Sequence, residues 1–424
     1  MRSLTSLVFL ATLAMSYSIT PFSIDLSGSV PRMLSLVANA RLPAKPEYSG
    51  ASNVGIELDY LQGLKDLWVG GWSWDRAQSE FNEYNQFKTT IEGIDIHFIH
   101  EKSANKDAIP LVLLHGWPGQ LLSSETRFSM YADLSAFTGS FHEFIPVINP
   151  LLQSAPISSG KNVSFDVIVP SLPGFTFSSA PPANWTVADT GRIFNTLMTK
   201  VLGYETYALH GTDWGCIIGW SMYDAFNTTV RAAHFDFLPF PGPTPEEAAA
   251  ANITLSAIGK VGTQRFVDFE ANHFSYSSAQ GTEPNTIGFA LYDNPLGQLS
   301  WIADVYKWAS DPKAGTAPSV LNSSVILNSV SLYFLTDSFI SAAYIYAQNP
   351  SSFGSGFSKA RTDAPMLFSS FEWNVAYWPK EYAAKAGNLT YFKEHSFGGH
   401  FAGLDNPPAL IDDIRHIGDF FERA

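Results

Sequence analysis

The 424-residue sequence has a single cysteine, Cys216. One thiol closes no intramolecular disulfide, so packing alone must hold the fold. It also leaves no cysteine pair for a metal, and the ten histidines fall at neither H-x3-H nor H-E-x-x-H spacing. No metal site and no cofactor is therefore expected. Cations are scarce: 25 Lys and Arg stand against 39 Asp and Glu, for a net charge of −14, with no basic stripe. Phosphate contacts need clustered cations, which argues against nucleic-acid binding. Long apolar runs are missing too. Leu7 to Met15 is mostly apolar but short, with Arg2 ahead of it and Ser16-Tyr17-Ser18 behind. That pattern predicts a secretory signal peptide over 1–18, an uncleaved anchor being the alternative. Membrane association after cleavage is not expected. Six Asn-x-Ser/Thr sequons, at Asn162, Asn184, Asn227, Asn252, Asn322 and Asn388, fit export.

What is present is apolar and aromatic: 46% hydrophobic residues and 14% aromatic, ample for a large core. Residues 19–105 combine helical punctuation with many aromatics and then a strand-like stretch from 88 to 100. Further strands are predicted at 109–114, 165–170, 206–209, 232–238, 365–368 and 389–392, with helical patterns between, as at 190–201 and 407–421. Alternating strand and helix predicts a mostly parallel α/β sheet. The alternation lapses over 240–355, where helices at 245–258, 296–308 and 326–348 suggest an inserted cap over the sheet's C-terminal edge. Core segments at 106–239 and 356–424 flank it.

Gly211-Thr212-Asp213-Trp214-Gly215 joins a predicted buried strand to a predicted helix. Small residues two before and two after a reactive side chain mark a nucleophile elbow, here with a carboxylate in place of the commoner serine. An Asp attacks an electrophilic carbon to give an alkyl-enzyme ester, which water must then cleave. His115-Gly116-Trp117-Pro118-Gly119 follows the apolar strand 109–114. Its turn can aim the Trp117 N–H into the crevice as half of an oxyanion hole, the Trp214 N–H being the other half. Gly398-Gly399-His400-Phe401-Ala402 follows the last strand, and His400 is the candidate general base. An orienting carboxylate is then needed. Glu372, beyond the preceding strand and flanked by aromatics, is the first choice; Glu394 and Asp337 are weaker ones.

These motifs resemble the α/β-hydrolase-fold epoxide hydrolases of the microsomal and juvenile-hormone type, over nearly everything after the leader. Phe87 to His100 resembles the end of that family's N-terminal domain. The His115, Asp213 and His400 segments match its oxyanion, nucleophile and base turns. The resemblance implies an α/β-hydrolase fold with a helical cap and an N-terminal helical extension. It implies hydrolysis of an epoxide to a vicinal diol, with the small-molecule epoxide and water as partners. It also implies two cap tyrosines as acids, Tyr346 and Tyr276, with Tyr344, Tyr333 and Tyr292 as neighbouring rivals. Haloalkane dehalogenases share the Asp, the following Trp and the His, but not the tyrosines. An inactive binding protein on the same scaffold is the remaining alternative.

Overall fold

The computed structural model describes residues 17–46, 54–117, 141–353 and 358–422. The expected leader lies almost wholly outside these residues, as do Pro118 and Gly119.

Among the described residues eleven strands form: β1 (Thr20–Phe22), β2 (Gln86–Ile91), β3 (Ile94–Glu101), β4 (Ile109–Leu114), β5 (Ala155–Pro156), β6 (Asn162–Val163), β7 (Phe165–Pro170), β8 (Tyr207–Gly211), β9 (Val230–Phe235), β10 (Pro365–Trp373) and β11 (Asn388–Gly399). β5 and β6 pair as a short ribbon; the other nine make one sheet in the order β1-β2-β3-β7-β4-β8-β9-β10-β11. The pairs from β1 to β7 are antiparallel, and those from β7 through β4 to β11 are parallel. Parallel strands need cover on both faces, and all six residues of β4 are buried, as its unbroken apolar run requires. Helices α4 (Ile145–Leu152), α5 (Val187–Thr196) and α6 (Asp213–Ala225) pack on the parallel part, and α1 (Val30–Asn39), α2 (Leu58–Gly70) and α3 (Trp74–Phe81) belong to the N-terminal region. The mostly parallel sheet with its flanking helices is an α/β-hydrolase fold.

Among the described residues seven α-helices stand between β9 and β10: α7 (Pro245–Ala250), α8 (Ala257–Asp268), α9 (Ser275–Thr282), α10 (Pro284–Tyr292), α11 (Pro295–Ala309), α12 (Ser323–Leu335) and α13 (Phe339–Gln348). α11 matches the expected helix at 296–308 closely. The helix expected over 245–258 ends at Ala250, and that expected over 326–348 is two helices bent by 88°. Polar capping chemistry explains the second break. Asp337 takes a left-handed conformation (φ 54°), Ser338 N–H donates to Tyr333 O at 3.0 Å and Asp337 N–H to Phe334 O at 3.2 Å. That is a Schellman ending with Asp where glycine is usual. No single helix among the described residues is long and apolar enough to cross a membrane.

The topology fixes where chemistry can occur. β4, β8, β10 and β11 run in the same direction, so the turns after them gather at one edge of the sheet, beneath the inserted helices.

Candidate active site

At the end of β8 the chain reverses directly into α6. Asp213 sits in the bend with φ 48°, a conformation few side chains tolerate, and its residue is 7% exposed. A Cβ on Gly215 would collide with the Leu114 carbonyl, and one on Gly116 with the Asp213 carboxylate itself. The elbow is therefore cramped on both sides, which is why small residues are required there. As the second residue of α6, Trp214 has an N–H with no partner inside its helix.

The turn after β4 supplies the other donor. Trp117 N–H donates to Asp213 Oδ1 at 2.7 Å. His115 locks this turn: its Nε2 accepts from Leu172 N–H at 3.2 Å, so its Nδ1 carries the proton and donates to Gly116 O at 3.0 Å. Burial pushes this imidazole down to about 4, so it stays neutral.

β11 runs on to Gly399, well past the expected strand end at 392, and delivers His400 directly to the elbow. His400 Nε2 lies 3.3 Å from Asp213 Oδ2. The base loop is tied to the inserted helices: His400 N–H donates to Ala309 O at 2.8 Å, and Gly398 N–H to an Asp311 carboxylate oxygen at 2.9 Å. From below, Asp405 accepts from both Gly399 N–H, at 2.8 Å, and Asp311 N–H, at 3.1 Å.

Glu372 does not orient this histidine, and here the sequence expectation is corrected. The Nδ1 partner is Asn374, whose Oδ1 lies 2.8 Å away. Glu372 is part-exposed, its carboxyl raised by desolvation and by the charge of Asp311. The residue that reaches His400 is the first one past β10, and only the folded loop decides that. The two weaker candidates are also elsewhere. Glu394 accepts from the Ser256 hydroxyl at 2.6 Å and the Tyr377 hydroxyl at 2.7 Å, and Asp337 forms the helix break described above.

Tyr276 on α9 and Tyr346 on α13 do come to the elbow. Tyr276 stacks on Trp117 with centroids 5.3 Å apart, and Tyr346 meets the Trp214 ring edge-on at 4.8 Å. Burial and the nearby Asp213 charge push both phenols well above their ordinary value, so both remain proton donors at neutral pH. Of the rivals, Tyr344 and Tyr292 are outward: Tyr344 bonds Asn285 in a part-exposed setting and Tyr292 is 47% exposed. Tyr333 is wholly buried, against Phe175.

Asp213, Tyr276 and Tyr346 open into one cavity of about 690 Å³, the open space at its mouth included. Phe240, Phe266, Phe269, Phe274, Phe353 and Trp378 are among the residues that line it. Such a hollow holds an apolar molecule and presents it to one carboxylate and two phenols. Two buried carboxyls behind the site were not anticipated. Asp236, just past β9, is pushed up to about 8 by burial, with the Asp213 charge adding to the rise, and Glu143 is raised well above its ordinary value by burial. Neither carries a sequence signal of its role, since acids on loops are usually solvated. Among the described residues no group of His, Cys, Asp and Glu could hold a metal ion.

The family model for the epoxide hydrolase N terminus matches residues 19–124, and that for the alpha/beta hydrolase fold matches 109–254. A protein of Stigmatella aurantiaca, provisionally named an epoxide hydrolase, is 32% identical over 94% of this chain and 84% of its own. Juvenile hormone epoxide hydrolase 1 of Ctenocephalides felis is 28% identical over 94% of this chain and 85% of its own. The structure of an Aspergillus niger epoxide hydrolase superposes with a TM-score of 0.77 at 29% identity, over 95% of this chain and 97% of that one.

Proposed function

The chain belongs to the epoxide hydrolases of the α/β-hydrolase fold, and on that premise we propose how its own residues open and hydrolyse the ring. Asp213 attacks an epoxide carbon; the C–O bond breaks and the ring oxygen leaves as an alkoxide. Tyr276 and Tyr346 donate to that oxygen as charge develops, which general-acid assistance of this kind makes roughly 100-fold or more faster. One phenol proton passes to that oxygen, giving a hydroxyalkyl ester on Asp213, and the proton later released as the new carboxyl ionises restores the phenol. Water then attacks the ester carbonyl, and His400 Nε2 takes its proton. The Trp117 and Trp214 N–H groups hold the tetrahedral oxyanion, each donor being worth about 3 kcal/mol. A vicinal diol departs and the carboxylate is restored.

The observation that carries this reading is the double contact of Asp213, one oxygen on the Trp117 N–H and the other facing His400, with both phenols in the same cavity. Isotope labelling tests it. With enzyme in excess in heavy-oxygen water, the first turnover should place label in the Asp213 carboxylate and none in the diol. Label in that first diol would mean direct attack by water.

The finer reading is a secreted, glycosylated enzyme that clears reactive apolar epoxides. The leader and the sequons support it. Asn162, Asn184, Asn227 and Asn252 are exposed, as a glycan requires. Asn322 is half-buried, with its side chain capping α12, and Asn388, though exposed, has its amide engaged in donating to Asp363 O. Glycans are accordingly expected at the first four. Peptide mapping of the secreted protein before and after enzymatic deglycosylation checks this.

A further inference from the structure

Asn374 stands where an orienting acid was expected, and its surroundings suit an amide. It is 2% exposed. Its Oδ1 accepts from Val375 N–H at 2.7 Å and its Nδ2 donates to Asp236 O at 2.9 Å. A peptide N–H only donates and a peptide carbonyl only accepts, so the amide can face one way. The Oδ1 that meets His400 is then an acceptor, and His400 Nδ1 must carry the proton. Nε2, facing Asp213, is left as the ring nitrogen that takes a proton. A carboxylate at 374 could not donate to Asp236 O; it would set two acceptor oxygens against each other in a buried place.

Charged and titratable groups surround the imidazole without replacing this partner. Asp213 from α6 faces Nε2. Asp236 offers Asn374 its backbone carbonyl. Asp311 and Asp405 take the N–H groups of Gly398 and Gly399 on the base loop, with the Arg265 charge acting on Asp405. Glu143 lies within reach of the charges of Asp213 and Asp236.

We propose that Asn374 is the positioning residue for His400, a neutral amide that fixes the ring's tautomer so that ester hydrolysis runs without a carboxylate partner. This rests on the covalent scheme above. In that step the water oxygen bonds to the ester carbon and one of its protons goes to Nε2. The bond from that carbon to the product oxygen then breaks, and this oxygen takes the proton back from Nε2. The second proton of the water leaves with the new carboxyl as it ionises. Asn374 changes no bond; it holds the acceptor of the first proton in register.

Single turnovers of the full chain with styrene oxide, followed by tryptophan fluorescence and by mass of the Asp213 peptide, separate ester formation from ester decay. In N374A, ester should form at the wild-type rate and decay on the order of 100- to 10,000-fold more slowly, the scale set by an imidazole without its tautomer partner. In N374D, decay should persist with the acid limb of its pH profile moved to higher pH, because a carboxylate favours the imidazolium. Ester decay in N374A at the wild-type rate and pH profile would overturn the proposal, as would a stall in E372Q that N374A lacks. Should N374D fail to fold, the N374A arm decides alone. A wild-type enzyme that never shows an ester would instead sink the covalent scheme, a different failure from either of these.

Discussion

At the scale of single residues, the site works through contacts that one methyl or one hydroxyl can break. Replacing Gly116 by Ala sets a methyl against the Asp213 carboxylate. The G116A protein should lose at least about 100-fold in kcat from the misplaced nucleophile. Far-ultraviolet circular dichroism would show whether the fold is kept. Y276F and Y346F should each slow ester formation by roughly 10- to 100-fold and leave ester decay unchanged. Stopped-flow fluorescence resolves the two phases. Decay slowed as much as formation would remove the phenols from the acid role. Asp213, Trp117 and His400 were legible in the sequence because each sits in a turn whose glycines are adjacent in the chain. The orienting group was not legible. A search for charge stops at Glu372, whereas the side chain that arrives is an uncharged one two residues later. The tyrosines came only through family resemblance, since an aromatic in a helix reads first as packing.

At the scale of elements, the inserted helices are held by their ends. Thr244 and Glu247 form a reciprocal capping box at the start of α7. T244A should cost about 1 kcal/mol, seen as a lower urea midpoint at unchanged slope. Asp337 occupies a position that glycine fits better. D337G should therefore be neutral or stabilising by up to about 1 kcal/mol, and a clear loss would mean that the Asp side chain matters at the bend. Period and length revealed α11 from the sequence alone. They did not reveal the end of α12, because apolar residues continue on both sides of Thr336-Asp337-Ser338 and the polar trio was outvoted. The strand end at Gly399 was missed in the same way. β11 continues through polar residues that pair with β10 at the sheet's margin, where side chains need not be apolar.

At the scale of the whole molecule, buried ionisable groups set the pH range of stability. His97, His115, His142, His210 and His234 are all pushed down by burial. Their unfolded forms bind protons first, so stability is lost as pH falls below about 6.5, at up to about 1.4 kcal/mol per pH unit for each. Asp236 and Asp405, both raised to about 8, act in the opposite sense. The unfolded chain has released protons that these two keep, so they take stability away throughout the rise from about pH 4 to 8, and above about 6.5 the histidines no longer offset that loss. Thermal melts from pH 5 to 8 should show a maximum melting temperature near pH 6.5. A flat profile would show that water reaches these groups in the native state.

The lone thiol offers a separate view of the same core. Cys216 is wholly buried three residues after Asp213, its sulfur donates to Phe237 O at 2.6 Å, and burial pushes its ionisation well above the ordinary value. Such a sulfur is chemically silent while the elbow is closed. An alkylating reagent added to the intact enzyme thus becomes a clock, marking one chain each time the ground beneath the Asp213 carboxylate gives way.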